Sequence, residues 1–300
     1  MKKKILLLIL LFIFSVTLLL PNVAFADMGP KPSVTVEFTG LDDEGEFFVT
    51  LLSSEPSTGP FSVYDPTDEY PSWYADENPE IWQKFVDYVD ADGYYFLQYF
   101  EACSATEPFS WTYYPPQTFK VLIYLPQKDT FIVSGVCERY AFDSNFLLSV
   151  TLDEIGTIQT YTSGTTVEKH YDFLWQGISL LARIVGTIGL ELLIALIFRF
   201  TNKKQILLIL YVNLATQILL NVGLNVVSYF GGAFSFVFVY ALAEWLVFLI
   251  EAALYTAYMP KCGLDSKKIW LAWIYSFVAN LFSFGVGVIL AIAIPGVFFL

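Results

Sequence analysis

Histidine is almost missing from this 300-residue chain: His170 is the only one, beside three cysteines and three methionines. A single imidazole excludes histidine-based hydrolysis unless His170 acts alone. There is no metal-ligand pair, no Gly-x-Ser-x-Gly elbow and no Walker loop, so the metal, serine and nucleotide hydrolase classes lose their signatures. Charge is scarce as well, at 15 % against 56 % hydrophobic residues and a mean hydropathy of +0.56. So apolar a chain is not one ordinary water-soluble domain. Positive charge is scarcest over 27–172, where six basic side chains (Lys31, Lys84, Lys120, Lys128, Arg139, Lys169) stand against 25 acidic ones, a balance of −19 within a whole-chain charge of −13. Nucleic acid is therefore excluded as a partner of that stretch, and anionic lipid headgroups suit it poorly.

What is present divides the chain into three. Lys2, Lys3 and Lys4, the apolar run Ile5 to Leu20 and the small-x-small site Ala24-Phe25-Ala26 form a secretory signal over 1–26, with Asp27 as the expected mature start. An acidic extracytoplasmic domain is expected over 27–172. The remainder, 173–300, holds four apolar stretches, about 174–199, 205–229, 234–258 and 269–294, each long enough for a hydrocarbon core that takes about 20 helical residues.

Loop charge gives these stretches a direction. With residue 172 outside, Arg199, Lys203 and Lys204 fall inside, the Gly231-Gly232 turn outside, and Lys261, Lys267 and Lys268 inside, which satisfies the positive-inside rule at each loop and leaves the C-terminus outside. Cysteine usage agrees with this. Cys103 and Cys137 lie in the exported stretch, where they are candidates for a disulfide, and Cys262 lies in a loop assigned to the reducing side.

The exported domain reads as strand-rich α+β. Residues 32–39 and 46–52 are β-branched and aromatic runs flanking Gly40-Leu41-Asp42-Asp43-Glu44-Gly45, which predicts a hairpin. Further strands are expected at 94–100, 119–125, 130–136 and 145–152. Asn78 and Pro79 open a helix whose apolar face is Ile81, Trp82, Phe85, Val86 and Val89. Asp87 to Gly93 resembles a calcium loop in composition. Its acceptors do not fall at the positions such a loop needs, so it reads as a helix-ending turn, and the metal question stays open. Trp73, Tyr74, Trp111, Tyr113 and Tyr114 are candidates for stacking on a cell-wall sugar or peptide, or for core packing.

The apolar stretches carry polar stripes. Asn213, Gln217, Asn221 and Asn225 recur every four residues, Glu244 and Glu251 are seven apart with Tyr240 and Tyr255 on the same face, and Ser276, Asn280, Ser283 and Gly287 share another. Glu191 stands eight residues after Arg183, which is expected to snorkel outward. Counted from the cytoplasmic ends, Glu191, Asn213 and Glu251 form one layer, and Gln217, Glu244 and Asn280 a second. A carboxylate at membrane depth costs about 2.5–3.5 kcal/mol on insertion scales, so these groups imply partners, protonation, a bound cation or water. Interhelical hydrogen bonding is the alternative role for the amides.

The stretches Met28-Gly29-Pro30-Lys31-Pro32-Ser33, Ser57-Thr58-Gly59-Pro60 and Trp111-Thr112-Tyr113-Tyr114-Pro115-Pro116, with Asn213, Asn221, Glu244, Glu251 and Asn280, give the chain a family likeness. It resembles a group of Gram-positive, clostridia-like envelope membrane proteins with this signal, ectodomain and four-helix layout. The resemblance implies architecture and compartment, and carries no activity with it.

Two functions follow as expectations. The first is a non-enzymatic extracytoplasmic binding, sensing or assembly domain on a polar-cored membrane bundle. The second is a subunit that transports a proton, a cation or a small polar solute through Glu191, Asn213, Gln217, Asn221, Glu244, Glu251 and Asn280. Expected partners are the lipid bilayer, a protein partner or a second copy, and a cell-wall ligand. No cofactor is specified by the sequence.

Overall fold

The computed structural model describes residues 29–67, 78–151, 165–171 and 173–293. It divides into Pro30–Tyr171 and a unit whose described part is Gly29 and residues 173–293. The expected signal at 1–26, the aromatic pair Trp73 and Tyr74, and the end of the last predicted strand at residue 152 lie outside the described residues.

In chain order the first unit holds β1 (Ser33–Thr39), β2 (Phe47–Ser53), β3 (Ser57–Thr58), β4 (Phe61–Ser62), helix α1 (Pro79–Asp87), β5 (Tyr95–Phe96), β6 (Glu101–Cys103), β7 (Phe109–Trp111), β8 (Thr118–Leu125), β9 (Thr130–Val133), β10 (Cys137–Glu138), β11 (Asp143–Val150) and β12 (Thr165–Lys169). One sheet runs β12-β11-β1-β7, with β1 parallel to β11. The other runs β10-β8-β2-β5, with β6 on β2 and β9 on β8, and β3 and β4 form a short ribbon.

Three layers result. Val34, Val36 and Phe38 of β1, Phe146 and Leu148 of β11, and Trp111 of β7 pack against Phe47, Val49 and Leu51 of β2 and Val121 and Ile123 of β8. The opposite residues of the second sheet, Phe48, Leu52, Leu122 and Tyr124, meet Trp82 and Phe85 of α1. Asn78 caps α1 by accepting from Ile81 N at 3.3 Å, with Pro79 at the first helical position.

This layering overturns the predicted hairpin. β1 and β2 belong to different sheets and face each other across the core, where Phe38 and Phe47 meet edge-to-face at 5.1 Å. The burial patterns give the reason: β1 buries alternate residues, whereas all seven residues of β2 are buried because both of its faces are covered. The predicted strand at 94–100 is also broken. Gln98 sits at φ 62, so pairing stops after Phe96 and resumes at Glu101.

The candidate disulfide is corrected as well. Cys103 and Cys137 are free and buried in the same core. Cys103 pairs with Phe47 at the start of β2, while Cys137 pairs with Phe119, the partner of Ser53 at the other end of β2. That length of strand is about 20 Å, and a bridge needs Cα atoms within about 7 Å. At 87–93 the chain forms a turn. Asp90 accepts from Asp92 N and Tyr94 N, and Lys120 spans Asp90 at 2.9 Å and Asp92 at 2.5 Å.

The second unit holds three long helices, α2 (Phe173–Ile197), α3 (Lys203–Tyr258) and α4 (Trp270–Ala293), and each is long and apolar enough to cross a membrane. The middle one has 56 residues and is interrupted at Gly232, at φ 71 and ψ −177, a backbone region open essentially to glycine alone. Residues on either side of this break touch: Leu220 and Leu224 share a cluster with Phe236 and Val247, and Ile209 and Val212 share another with Tyr255 and Met259.

Candidate functional site

The polar stripe of α3 turns inward because a spacing of four residues drifts only about 40° per step. Asn213, Gln217 and Asn221 are all buried, as are Glu244 and Glu251 beyond the break, Glu191 on α2 and Asn280 on α4. The outer faces are apolar, with Leu181, Val185, Leu219, Phe238, Trp245 and Phe282 more than half exposed. Polar inside and apolar outside is the inverse of a water-soluble bundle.

Glu251 is the hub. Thr216 donates to its Oε1 at 2.7 Å and Asn280 to its Oε2 at 2.8 Å, so one carboxyl joins both parts of α3 to α4. Asn213 donates to the Tyr255 hydroxyl at 3.0 Å and to Ile209 O at 3.1 Å. Tyr275 donates to the Glu191 carbonyl at 3.2 Å, and Ser276 to Phe248 O at 3.2 Å. Asn213 stands beside the Glu191 side chain, which is within electrostatic reach of Glu251 and Glu244.

Two further groups flank this hub. Asn221 donates to Gln217 Oε1 at 3.2 Å and to Gln217 O at 2.9 Å, and Glu244 is hydrogen-bonded to Tyr240 one turn earlier. Arg183 does not reach outward as expected. It is buried, and donates to Asn225 Oδ1 at 2.8 Å and to Ser179 O at 3.3 Å. Pairing with Asn225 offsets the cost of turning the guanidinium inward.

The two expected layers are redrawn: Asn280 joins Glu251 directly, and Glu244 is also within electrostatic reach of Glu251. Thr216 and Tyr275 are site residues that the stripes did not pick out. Thr216 sits one turn from Asn213 on the same side of α3, and that adjacency was the available signal.

Several buried atoms of the site have no hydrogen-bond partner among the described residues: Glu191 Oε1 and Oε2, Asn213 Oδ1, Gln217 Nε2, Glu244 Oε2, Asn280 Oδ1 and Ser283 Oγ. Among the described residues, none of the three glutamates is in an ion pair. Among the described residues, no group of three His, Cys, Asp or Glu side chains comes together as a metal-binding set.

At the end of the unit near residue 200, the two basic loops meet. Phe200, Met259 and Leu264 share one cluster, and Gly263, at φ 92, lies against the Asn202 side chain, so Arg199, Lys203, Lys204, Lys261, Lys267 and Lys268 gather at one end. Compared with known proteins, the chain matches no family model, no curated protein and no solved structure.

Proposed function

We propose that the chain is a multi-pass membrane protein whose biochemical role is binding. Its polar bundle interior is a ligand site, and its acidic N-terminal domain is a non-enzymatic binding, sensing or assembly module outside a Gram-positive-type cell membrane. The observation that carries this reading is the buried, incompletely satisfied polar cluster around Glu251 beneath an apolar exterior. Unpaired carboxyls are costly in a bilayer and are kept where something binds them. In this reading α3 counts as two spans joined at Gly232, for a total of four. The gathering of six basic residues at one end supports that end as cytoplasmic.

A second reading, transport of a proton, a cation or a small polar solute, is favoured by one specific arrangement. The Arg183 and Asn225 pair and the Glu191 and Glu251 region lie about 12 Å apart along α2, so polar groups continue along the bundle. Flux into liposomes holding the purified protein separates the two. Binding alone predicts no more flux than empty liposomes give. Flux abolished by Glu244→Gln with Glu251→Gln would establish transport instead.

A further inference from the structure

On Glu191, Asn213 and Asn280 the unmatched polar atoms are all acceptors, while the other unmatched atoms of the site include Gln217 Nε2 and Ser283 Oγ, which can donate. Glu191 contributes two carboxyl oxygens, and Asn213 and Asn280 one amide oxygen each. Each of these residues is at least nine-tenths buried, and none of these oxygens has a well-formed hydrogen bond among the described residues. The donors of Asn280, Asn213 and Thr216 are already committed: Asn280 Nδ2 to Glu251 and Ser276 O, Asn213 Nδ2 to Tyr255 and Ile209 O, and the Thr216 hydroxyl to Glu251. The nearest fixed cation on α2 is Arg183, eight residues from Glu191 and engaged with Asn225. A buried set of acceptors whose adjoining amide and hydroxyl donors are committed to other groups is complementary to a positive ion.

We infer that this cluster is a binding site for a monovalent cation, sodium, potassium or ammonium. Glu191, Asn213, Glu251 and Asn280 bring it one oxygen-bearing side chain from α2, from each part of α3 and from α4. A divalent ion is disfavoured because hard dications draw on several carboxylates at once, and among the described residues no three acidic side chains are arranged as a metal-binding set. The site closes only when all these segments pack, so the ion links binding to assembly of the bundle. This inference rests on the membrane-site reading above and names its ligand class.

The test is thermal unfolding of the full-length protein, purified in detergent, in sodium, potassium or ammonium chloride, with N-methyl-D-glucamine chloride holding ionic strength constant. At least one of the three should raise the midpoint saturably, by roughly 5 °C from well below to a hundredfold above half-saturation. Glu191→Gln should move half-saturation at least tenfold higher. Superimposable midpoints in all four salts would overturn the inference on the wild-type protein alone, whether or not any variant folds. A saturable shift with glycine and none with the cations would overturn the cation while sparing the interior site. No shift with any solute, together with unchanged stability in Glu191→Gln and Asn280→Leu, would overturn both.

Discussion

Asn280 donates from Nδ2 to Oε2 of Glu251 at 2.8 Å, joining α4 to the second part of α3 through a carboxyl that also receives Thr216. Replacing Asn280 with leucine keeps the branched shape and leaves a buried carboxyl oxygen without its donor. Asn280→Leu is expected to cost about 1–2 kcal/mol in a reversible unfolding measurement. Stability equal to wild type would mean that this hydrogen bond holds nothing.

Gly232 supplies the reversal within α3. At φ 71 and ψ −177 a side chain is strained whatever space surrounds it, so Gly232→Ala should cost about 1–3 kcal/mol and lower the melting midpoint. A midpoint at or above wild type would show that the two parts of α3 are not folded back at this residue.

Much of the architecture was legible in the sequence. Apolar runs mark helices by length alone, and the Asn78-Pro79 start marks α1. The polar stripes were legible because inward faces repeat at helical spacing. Strand partners were not: β1 pairs with β11, about 110 residues away, and no local pattern records which distant strand completes a sheet. Depth counted along each helix separates Asn280 from Glu251 because it ignores how far one helix is shifted against another. Arg183 was expected outside because its partner, Asn225, is on another helix.

In the N-terminal unit, Lys120 is buried between Asp90 and Asp92. Burial works against its charge, but hydrogen bonds to Asp92 and Asp90 outweigh this and raise its pKa above 10.5. The charged lysine therefore stabilises the fold at neutral pH, and that contribution fades only as pH climbs past about 10.5. Lys120→Met strands the Asp90 carboxyl and should cost about 3–5 kcal/mol in denaturant unfolding. A loss below about 1 kcal/mol would contradict a buried pair.

Burial pushes the Cys103 thiol up to about 12 and the Cys137 thiol up to about 11. Because the folded state holds these protons more tightly, stability should fall as pH rises above about 9. At pH 8 the thiolate fraction of Cys103 is roughly one in ten thousand, so native protein should resist iodoacetamide while urea-unfolded protein reacts at both sites. A faster-migrating band on non-reducing gels, abolished by Cys103→Ser, would instead require a bridge.

The reading of this chain turns on whether its two basic loops share one side of a membrane, opposite Gly232. Reporter fusions after Lys204, Gly232 and Lys268, expressed in cells, decide this directly. The account predicts cytoplasmic reporters at Lys204 and Lys268 and an extracytoplasmic one at Gly232. The same side for all three, or release of the Lys204 fusion from membranes by alkaline carbonate, would contradict it.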